Sequence, residues 1–399
     1  MKKMVQQKCT NDIFPSWPVY AEDEVQAVDS VLRSGLVNYW TGGEIRNFEE
    51  EYAAYVGVPH AVAVANGSVA IELALRALGI GAGDDVVVTS CSFIASASSI
   101  VLCGARPIFA DVDRESQNIT ASSISMVLTS KTKAIIVVHL AGWPCEMDEI
   151  SALANAKNIK IIEDCAQAHG ATYKEQPLGS FGDAATFSFC QDKIISTGGE
   201  GGMLLLKDTE IYERAWSYKD HGKCYNSAYS SQHSSEFRWM HNTFGTNWRM
   251  TEMQAAIGRI QLRKLDDWVV KRQKNAAILS GGFSGLKALR VTSPPIHIGH
   301  AYYKYYVFLN ADVLKVNWTR AQIIELVAEE GIPCSTGSCS EIYREQSFQS
   351  MEYTPSTRHL VARNLGETSL VFPVHPKLNP VNMEHIVSVV VDIIKFASD

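Results

Sequence analysis

Residues Ile161-Ile162-Glu163-Asp164-Cys165-Ala166-Gln167-Ala168-His169-Gly170 run from an apolar stretch directly into four polar side chains and a glycine. The apolar part starts at Ile159 and reads as a buried strand, and its polar residues fall at the carboxyl edge, where open α/β sheets keep their ligands. Similar short apolar runs occur at 61–65, 86–89, 107–112, 134–139, 184–189 and 203–206. Helical patterns separate them, and strands alternating with helices predict a mostly parallel, seven-stranded sheet covered on both faces.

Upstream, Val25, Val28, Val31 and Leu32 recur at helical spacing behind the acidic start Glu22-Asp23-Glu24, and Gly35 is placed to end that helix. Downstream, 264–279 reads as a long charged helix leading out of the sheet region. Beyond it a strand at 303–309, a helix at 320–330 and an amphipathic helix at 384–396 predict a smaller α+β unit. The expectation is therefore an α/β protein with a large domain over 1–265 and a small C-terminal α+β domain over 266–399. A length of 399 residues suits two or three domains.

Charge and cysteine usage narrow the function. Thirty-six Lys and Arg stand against 43 Asp and Glu, giving a net charge of −7, so no basic face is implied and nucleic acid is not an expected partner. The nine cysteines are odd in number, form no C-x-x-C pair and occupy no Cys/His ligand spacing, which fits a reducing compartment and no structural metal. Lys2, Lys3 and Lys8, followed by Asp12 and Pro15, lack the apolar core of a signal peptide, and a cytoplasmic location is expected. The stretch 86–105 carries no charge over 20 residues, but its six Ser/Thr hydroxyls argue for a buried strand followed by a small-residue helix rather than a membrane span.

Three constellations can carry chemistry. Asn66-Gly67-Ser68 sits where a strand becomes a helix, and unpaired helix N–H groups there favour a phosphate; the plainer alternative is an N-cap serine beside a turn glycine. Asp164, at the end of its strand, is either a cap or the partner of a cationic ring nitrogen, and His169 is either a core histidine bonded to a backbone carbonyl or a ligand. Lys193 lies between the buried strand ending Phe187-Ser188-Phe189 and the glycines 198, 199, 201 and 202. Most lysines are solvated surface charges, but a desolvated one attacks carbonyls. A lysine, an anion cup and an acid partner together are what a pyridoxal 5'-phosphate (PLP) enzyme needs.

At this level of detail the chain resembles the DegT/StrS family of sugar aminotransferases, of the fold type I aspartate-aminotransferase architecture. The matching segments run in order along the chain: Trp40-Thr41-Gly42-Gly43, Asn66-Gly67-Ser68-Val69-Ala70, Ser92-Phe93-Ile94-Ala95, Val138-His139-Leu140-Ala141-Gly142, the 163–170 run, Phe187-Ser188-Phe189 with Lys193, Gly199-Glu200-Gly201-Gly202, Asn247-Trp248-Arg249-Met250 and Pro373-Val374-His375-Pro376. The resemblance implies that Lys193 bonds covalently to PLP and then shuttles protons, and that Asp164 keeps the pyridine nitrogen protonated. It further implies that Gln167 bonds the phenolic oxygen, that Phe93 stacks on the ring, and that Gly67, Ser68 and Ser188 hold the phosphate. Asn247 would reach the phosphate from a neighbouring subunit, making the active unit a homodimer.

The implied reaction moves an amino group, from L-glutamate, to a keto-sugar, nucleotide-linked, for amino-sugar and surface polysaccharide synthesis such as lipopolysaccharide. A free keto-acid sugar such as an octulosonate is the alternative acceptor. The family's His-Tyr and Pro-Leu-His pattern after Gly331-Ile332-Pro333 is replaced by 335–343, so a sugar-facing wall of hydroxyls and the Glu341 carboxylate is expected. The Ser- and aromatic-rich segment 225–241 reads as a lid or dimer contact. Arg249 either pairs with an acid or binds the donor carboxylate, and Trp40 and Tyr343 read equally as packing residues. Two further alternatives are a PLP lyase or desulfurase using Cys190 or Cys165, and a non-catalytic regulator built on the same fold.

Overall fold

The computed structural model describes residues 14–229, 241–349 and 353–398. Helix α1 (Glu22–Ser34) ends at Gly35, whose φ of 69° is the left-handed conformation a Cβ disfavours. It is followed by α2 (Glu44–Val56) and β1 (His60–Val64), which feeds α3 (Gly67–Ala77). Then come β2 (Asp85–Thr89), α4 (Ala95–Leu102), β3 (Arg106–Ala110), β4 (Thr132–Val138), β5 (Lys160–Asp164), β6 (Ala184–Ser188) and β7 (Gly202–Leu206). All the expected strands of the sheet are present, within one or two residues of their expected ends.

These strands form one seven-stranded sheet in the order β1-β7-β6-β5-β4-β2-β3. Strand β7 runs antiparallel to both β1 and β6, and the other pairings are parallel. Alternate residues face opposite sides, so the apolar runs fill two cores: Val62, Val86, Val88, Ile136 and Ile162 pack on one face, and Ala63, Val87, Ile135, Val137 and Ile161 on the other. Each fully buried Val or Ile contributes about 1.5–3 kcal/mol of burial. Because all strands but β7 point the same way, the carboxyl ends of β1, β2, β5 and β6 open on one edge.

The uncharged stretch 86–105 is β2, a turn and α4, and among the described residues no helix is long and apolar enough to cross a membrane. Helix α1 departs from its expected stripe. Val31 is buried and Val28 half-buried, but Val25 and Leu32 are each 54% exposed, and buried Glu24 joins the docked side, pairing with Lys264 at 3.0 Å.

Helix α5 (Glu252–Phe283) starts twelve residues before the charged helix expected from the sequence, because Thr251 and Gln254 form a capping box ahead of it. It carries the chain to a second sheet of β8 (Leu289–Val291), β9 (Tyr305–Leu309) and β10 (Ser369–Phe372), ordered β8-β9-β10 and antiparallel throughout. Helices α6 (Arg320–Glu329) and α7 (Pro380–Ser398) pack on it through Ile323, Val327, Ile386, Val390 and Ile394.

Candidate active site

The turn after β1 makes the first wall. Asn66, not Ser68, caps α3: its side chain accepts the Val69 N–H at 3.0 Å. The N-cap serine alternative is therefore overturned, and Ser68 faces the cavity with its hydroxyl. Across from it stands Ser188 at the end of β6. A Cβ built on Gly67 would lie 2.6 Å from the Ser188 Cβ, so only glycine lets the start of α3 and the end of β6 approach this closely.

The two-residue period at the end of strand β5 sends Glu163 and Asp164 to opposite faces. Asp164 points into the cavity, and Glu163 points the other way, where it accepts N–H groups from Gly179, Phe181 and Gly182 and contacts His139 at 3.2 Å. Glu163, His139 and Cys165 lie close enough to share an ion, but the Glu163 oxygens already clamp the loop that leads to β6. Asp164 is 5% exposed and accepts from Ser96 Oγ at 2.7 Å and from the Ala166 N–H at 3.1 Å. Burial pushes its carboxyl above the ordinary range, against the pull of Ser96, Ala166 and the Lys193 charge. A carboxylate desolvated in this way gains most from a cationic partner placed in the cavity.

Gln167 Oε1 accepts the Ala141 N–H at 2.7 Å, which leaves its amide NH2 as the donor on the cavity side. His169 is the core alternative: it is fully buried, its Nε2 donates to the Ser188 carbonyl at 2.9 Å, and its Nδ1 lies 2.8 Å from the Tyr52 hydroxyl. Burial holds it neutral, with its pKa lowered to about 3. It is not a cavity residue but a strut under Ser188.

Lys193 stands in the loop after β6. Its Nζ is 3.5 Å from Asp192 Oδ1 and 4.9 Å from the centroid of the Tyr303 ring, and its carbonyl accepts the Trp17 indole N–H at 2.9 Å. The Tyr303 hydroxyl donates to Asp192 Oδ2. Two cavities of about 570 Å³ each meet at this amine. The inner one is lined by every residue assigned to cofactor binding above except Asn247. The outer one opens between Phe93, Tyr303, Lys304 and the 335–339 loop. Phe93, 66% exposed, stands at the junction.

Asn247 lines neither cavity of its own chain; it is exposed, bridges Asp220 through the backbone and accepts the Arg249 N–H at 3.4 Å. Arg249 pairs with buried Asp220, as does the Trp40 indole at 2.8 Å. The expected wall changes in one respect. Ser335 and Ser338 do line the outer cavity, but Glu341 is turned away into a pair with Arg358 and a 2.5 Å bond from Tyr343; the carboxylate on the cavity rim belongs to Glu345. Tyr343 is buried and packs on Phe109. Of segment 225–241, Tyr225–Tyr229 forms a short helix against Trp216, and 230–240 lie outside the described residues. Cys165 is sealed in the core with its thiol pushed well up, whereas Cys190 lines the inner cavity.

Sequence reasoning passed over Trp17, Asp192, Tyr303 and Lys304. Asp192 had a signal, its place beside Lys193. Tyr303 had none, since only the fold brings it across 111 residues to Asp192.

The sequence profile of the DegT/DnrJ/EryC1/StrS aminotransferase family matches residues 18–391. An aminotransferase from Psychrobacter cryohalolentis is 48% identical and superposes with a TM-score of 0.95, over 97% of this chain and 100% of that one. Spr1654 from Streptococcus pneumoniae, solved in PMP and PLP forms, is 25% identical with TM-scores of 0.87 and 0.86, over 95% of this chain and 98% of that one. GDP-perosamine synthase of Escherichia coli O157:H7 is 34% identical over 94% of both chains.

Proposed function

The chain belongs to the DegT/DnrJ/EryC1/StrS aminotransferase family, and from that membership we propose that it uses PLP to move the amino group of L-glutamate onto a nucleotide-linked keto-sugar in amino-sugar synthesis. The observation that carries this reading is the convergence of Lys193, Asp164, Gln167 and the Gly67-Ser68/Ser188 cup on one cavity. The cup fits a phosphate because it joins a helix N-terminus to two hydroxyls with no room for a Cβ, and buried Asp164 fits a ring cation. Bound there, PLP would supply an electron sink for the charge left when a proton departs from the substrate carbon.

The remaining work falls to the chain. Asp164 would hold a proton on the ring nitrogen, because a buried carboxylate is stabilised by a cationic N–H partner and opposes its loss. Gln167 donates from an amide fixed by the Ala141 N–H. Lys193 Nζ would hold the cofactor through its aldehyde, and the same amine stands where it can carry a proton to and from the substrate carbon. Phe93 covers the junction and limits water. Asn247, exposed and away from its own cavities, completes the phosphate site of a partner subunit, so the working unit is a homodimer with shared sites.

A nucleotide-linked acceptor is favoured by the similarity to GDP-perosamine synthase, and a free keto-acid sugar is the second reading. The pathway would be cytoplasmic synthesis of a surface glycan such as lipopolysaccharide. The test is twofold. Borohydride reduction of the PLP-loaded protein followed by peptide mapping is expected to mark Lys193, and purified protein with glutamate is expected to aminate one member of a keto-sugar panel. An unmarked Lys193 would reject the reading.

A further inference from the structure

Lys304 enters the outer cavity from the residue just before β9, half-buried, with its ammonium 5.1 Å from the Tyr303 ring centroid. Among the described residues no carboxylate lies within ion-pair distance of it. The acid whose field it does feel, Asp192, is already bound by the Tyr303 hydroxyl and approached to 3.5 Å by Lys193. Behind the same wall Arg272 is 1% exposed and donates to the carbonyls of Tyr302 and Tyr303, with no acid paired to it among the described residues. Lys193 and Lys304 therefore share one engaged carboxylate, and Arg272 adds its positive charge to Lys304 from behind. Burial first, then Arg272 and Lys193, lower the Lys304 amine from its ordinary value, and Asp192 opposes them.

Keeping a desolvated cation on a cavity wall costs stability unless something in the cavity repays it. The wall facing Lys304 offers Ser335 and Ser338, which donate well to anionic oxygens, and the acid on that side, Glu345, is exposed on the rim. Neutral sugar hydroxyls would leave the surplus charge uncompensated, whereas a carboxylate or phosphate oxygen would form a charge-assisted hydrogen bond.

We propose that Lys304 is a specificity-determining residue of the outer cavity, which binds an anionic oxygen of the substrate, either a carboxylate of the amino donor or a phosphate of the acceptor. The proposal rests on the outer cavity admitting the substrates of the aminotransferase reaction. Calorimetric titration of the PLP-loaded protein with glutarate and, separately, with inorganic pyrophosphate distinguishes the two sources without turnover. Lys304→Met is expected to weaken one probe by about tenfold or more, with most of the loss restored in Lys304→Arg. Loss confined to glutarate assigns the donor carboxylate, and loss confined to pyrophosphate assigns the acceptor phosphate.

Single-turnover measurement of each half-reaction should then show the same substrate with a raised half-saturation and a nearly unchanged limiting rate. Lys304→Gln serves if the Met variant loses its fold. Wild-type affinity for both probes in the neutral variants, or no binding of either probe to the wild type, would overturn the proposal. Failure of borohydride to mark Lys193 would instead reject the aminotransferase reading, and the probe titrations would still judge Lys304.

Discussion

Gly67 opens helix α3 and Ser188 ends strand β6, yet they meet so closely that a Cβ on Gly67 would stand 2.6 Å from the Ser188 Cβ. Gly67→Ala must push the two sides of the proposed phosphate cup apart. Overpacking of this kind costs about 1–3 kcal/mol, so PLP affinity should fall by roughly tenfold or more while the far-UV circular dichroism stays that of the wild type. Titration of cofactor-free protein with PLP measures this, and unaltered affinity would show that the cup is not where phosphate sits.

Asp164 gives opposite expectations with and without cofactor. Its carboxyl is raised above 3.8 by burial, so the folded chain binds more protons than the unfolded one. Its contribution is neutral at low pH and becomes unfavourable as pH rises through 3.8 toward the folded value. Cofactor-free Asp164→Asn should therefore melt at a higher temperature than wild type at neutral pH, with the gap closing in acid. The same substitution should slow amine transfer by about 100-fold or more, because the ring cation loses its partner. Thermal scans across pH and a steady-state assay check the two halves independently.

His169, His300 and His375 are all lowered to about 3 by burial. Unfolded histidines near 6.5 take up protons that the folded ones refuse, so stability is lost as pH falls from 6.5 toward 3, by about 1.4 kcal/mol per unit for each histidine. Urea midpoints at pH 7 and pH 5 should show it. His169→Gln, an amide that can still donate to the Ser188 carbonyl, should be less stable than wild type at pH 7 and should lose less on acidification; a slope equal to the wild type's would count against the assignment.

Cys190 lines the inner cavity, and its thiol lies 3.9 Å from Glu200. Transamination needs no sulfur acceptor. Cys190→Ser should transfer amine at a rate within about twofold of wild type, the scale of an ordinary neutral substitution. Sulfide release from cysteine, abolished in the variant, would revive the desulfurase alternative.

If Asn247 serves a partner's site, Lys193→Ala and Asn247→Ala proteins should each be nearly inactive alone, yet a mixture allowed to exchange subunits should regain activity, since hybrid dimers contain one intact site. A mixture no more active than its components would place Asn247 outside the shared site.

The sheet was legible because parallel strands buried on both faces write continuous apolar runs, and 86–89, 134–139 and 159–163 needed no context to be read. The inner cavity was legible for a related reason: Ser68, Asp164, Ser188 and Lys193 all follow such runs, and a parallel sheet gathers those ends. What escaped depends on side-chain direction and distance. Val25 and Leu32 show helical spacing but lie on the exposed side of α1, whose docked side carries Val31 and Glu24. Glu341 and Glu345 are equally acidic in the sequence, and the placement of Arg358 and the Tyr343 hydroxyl turns the first away from the cavity. The outer wall is assembled from 93, 192, 303 and 338, and no local pattern records such an encounter.

The Trp17 indole donates to the Lys193 carbonyl, meets Trp268 edge-on at 5.1 Å and stacks on His375 at 5.8 Å. The segment ahead of α1 is thus stitched through Trp17 into the loop that carries Lys193. Anyone shortening the protein for expression or joining it to another domain should leave this tryptophan in place, since trimming past it would loosen the loop while leaving the sheet intact.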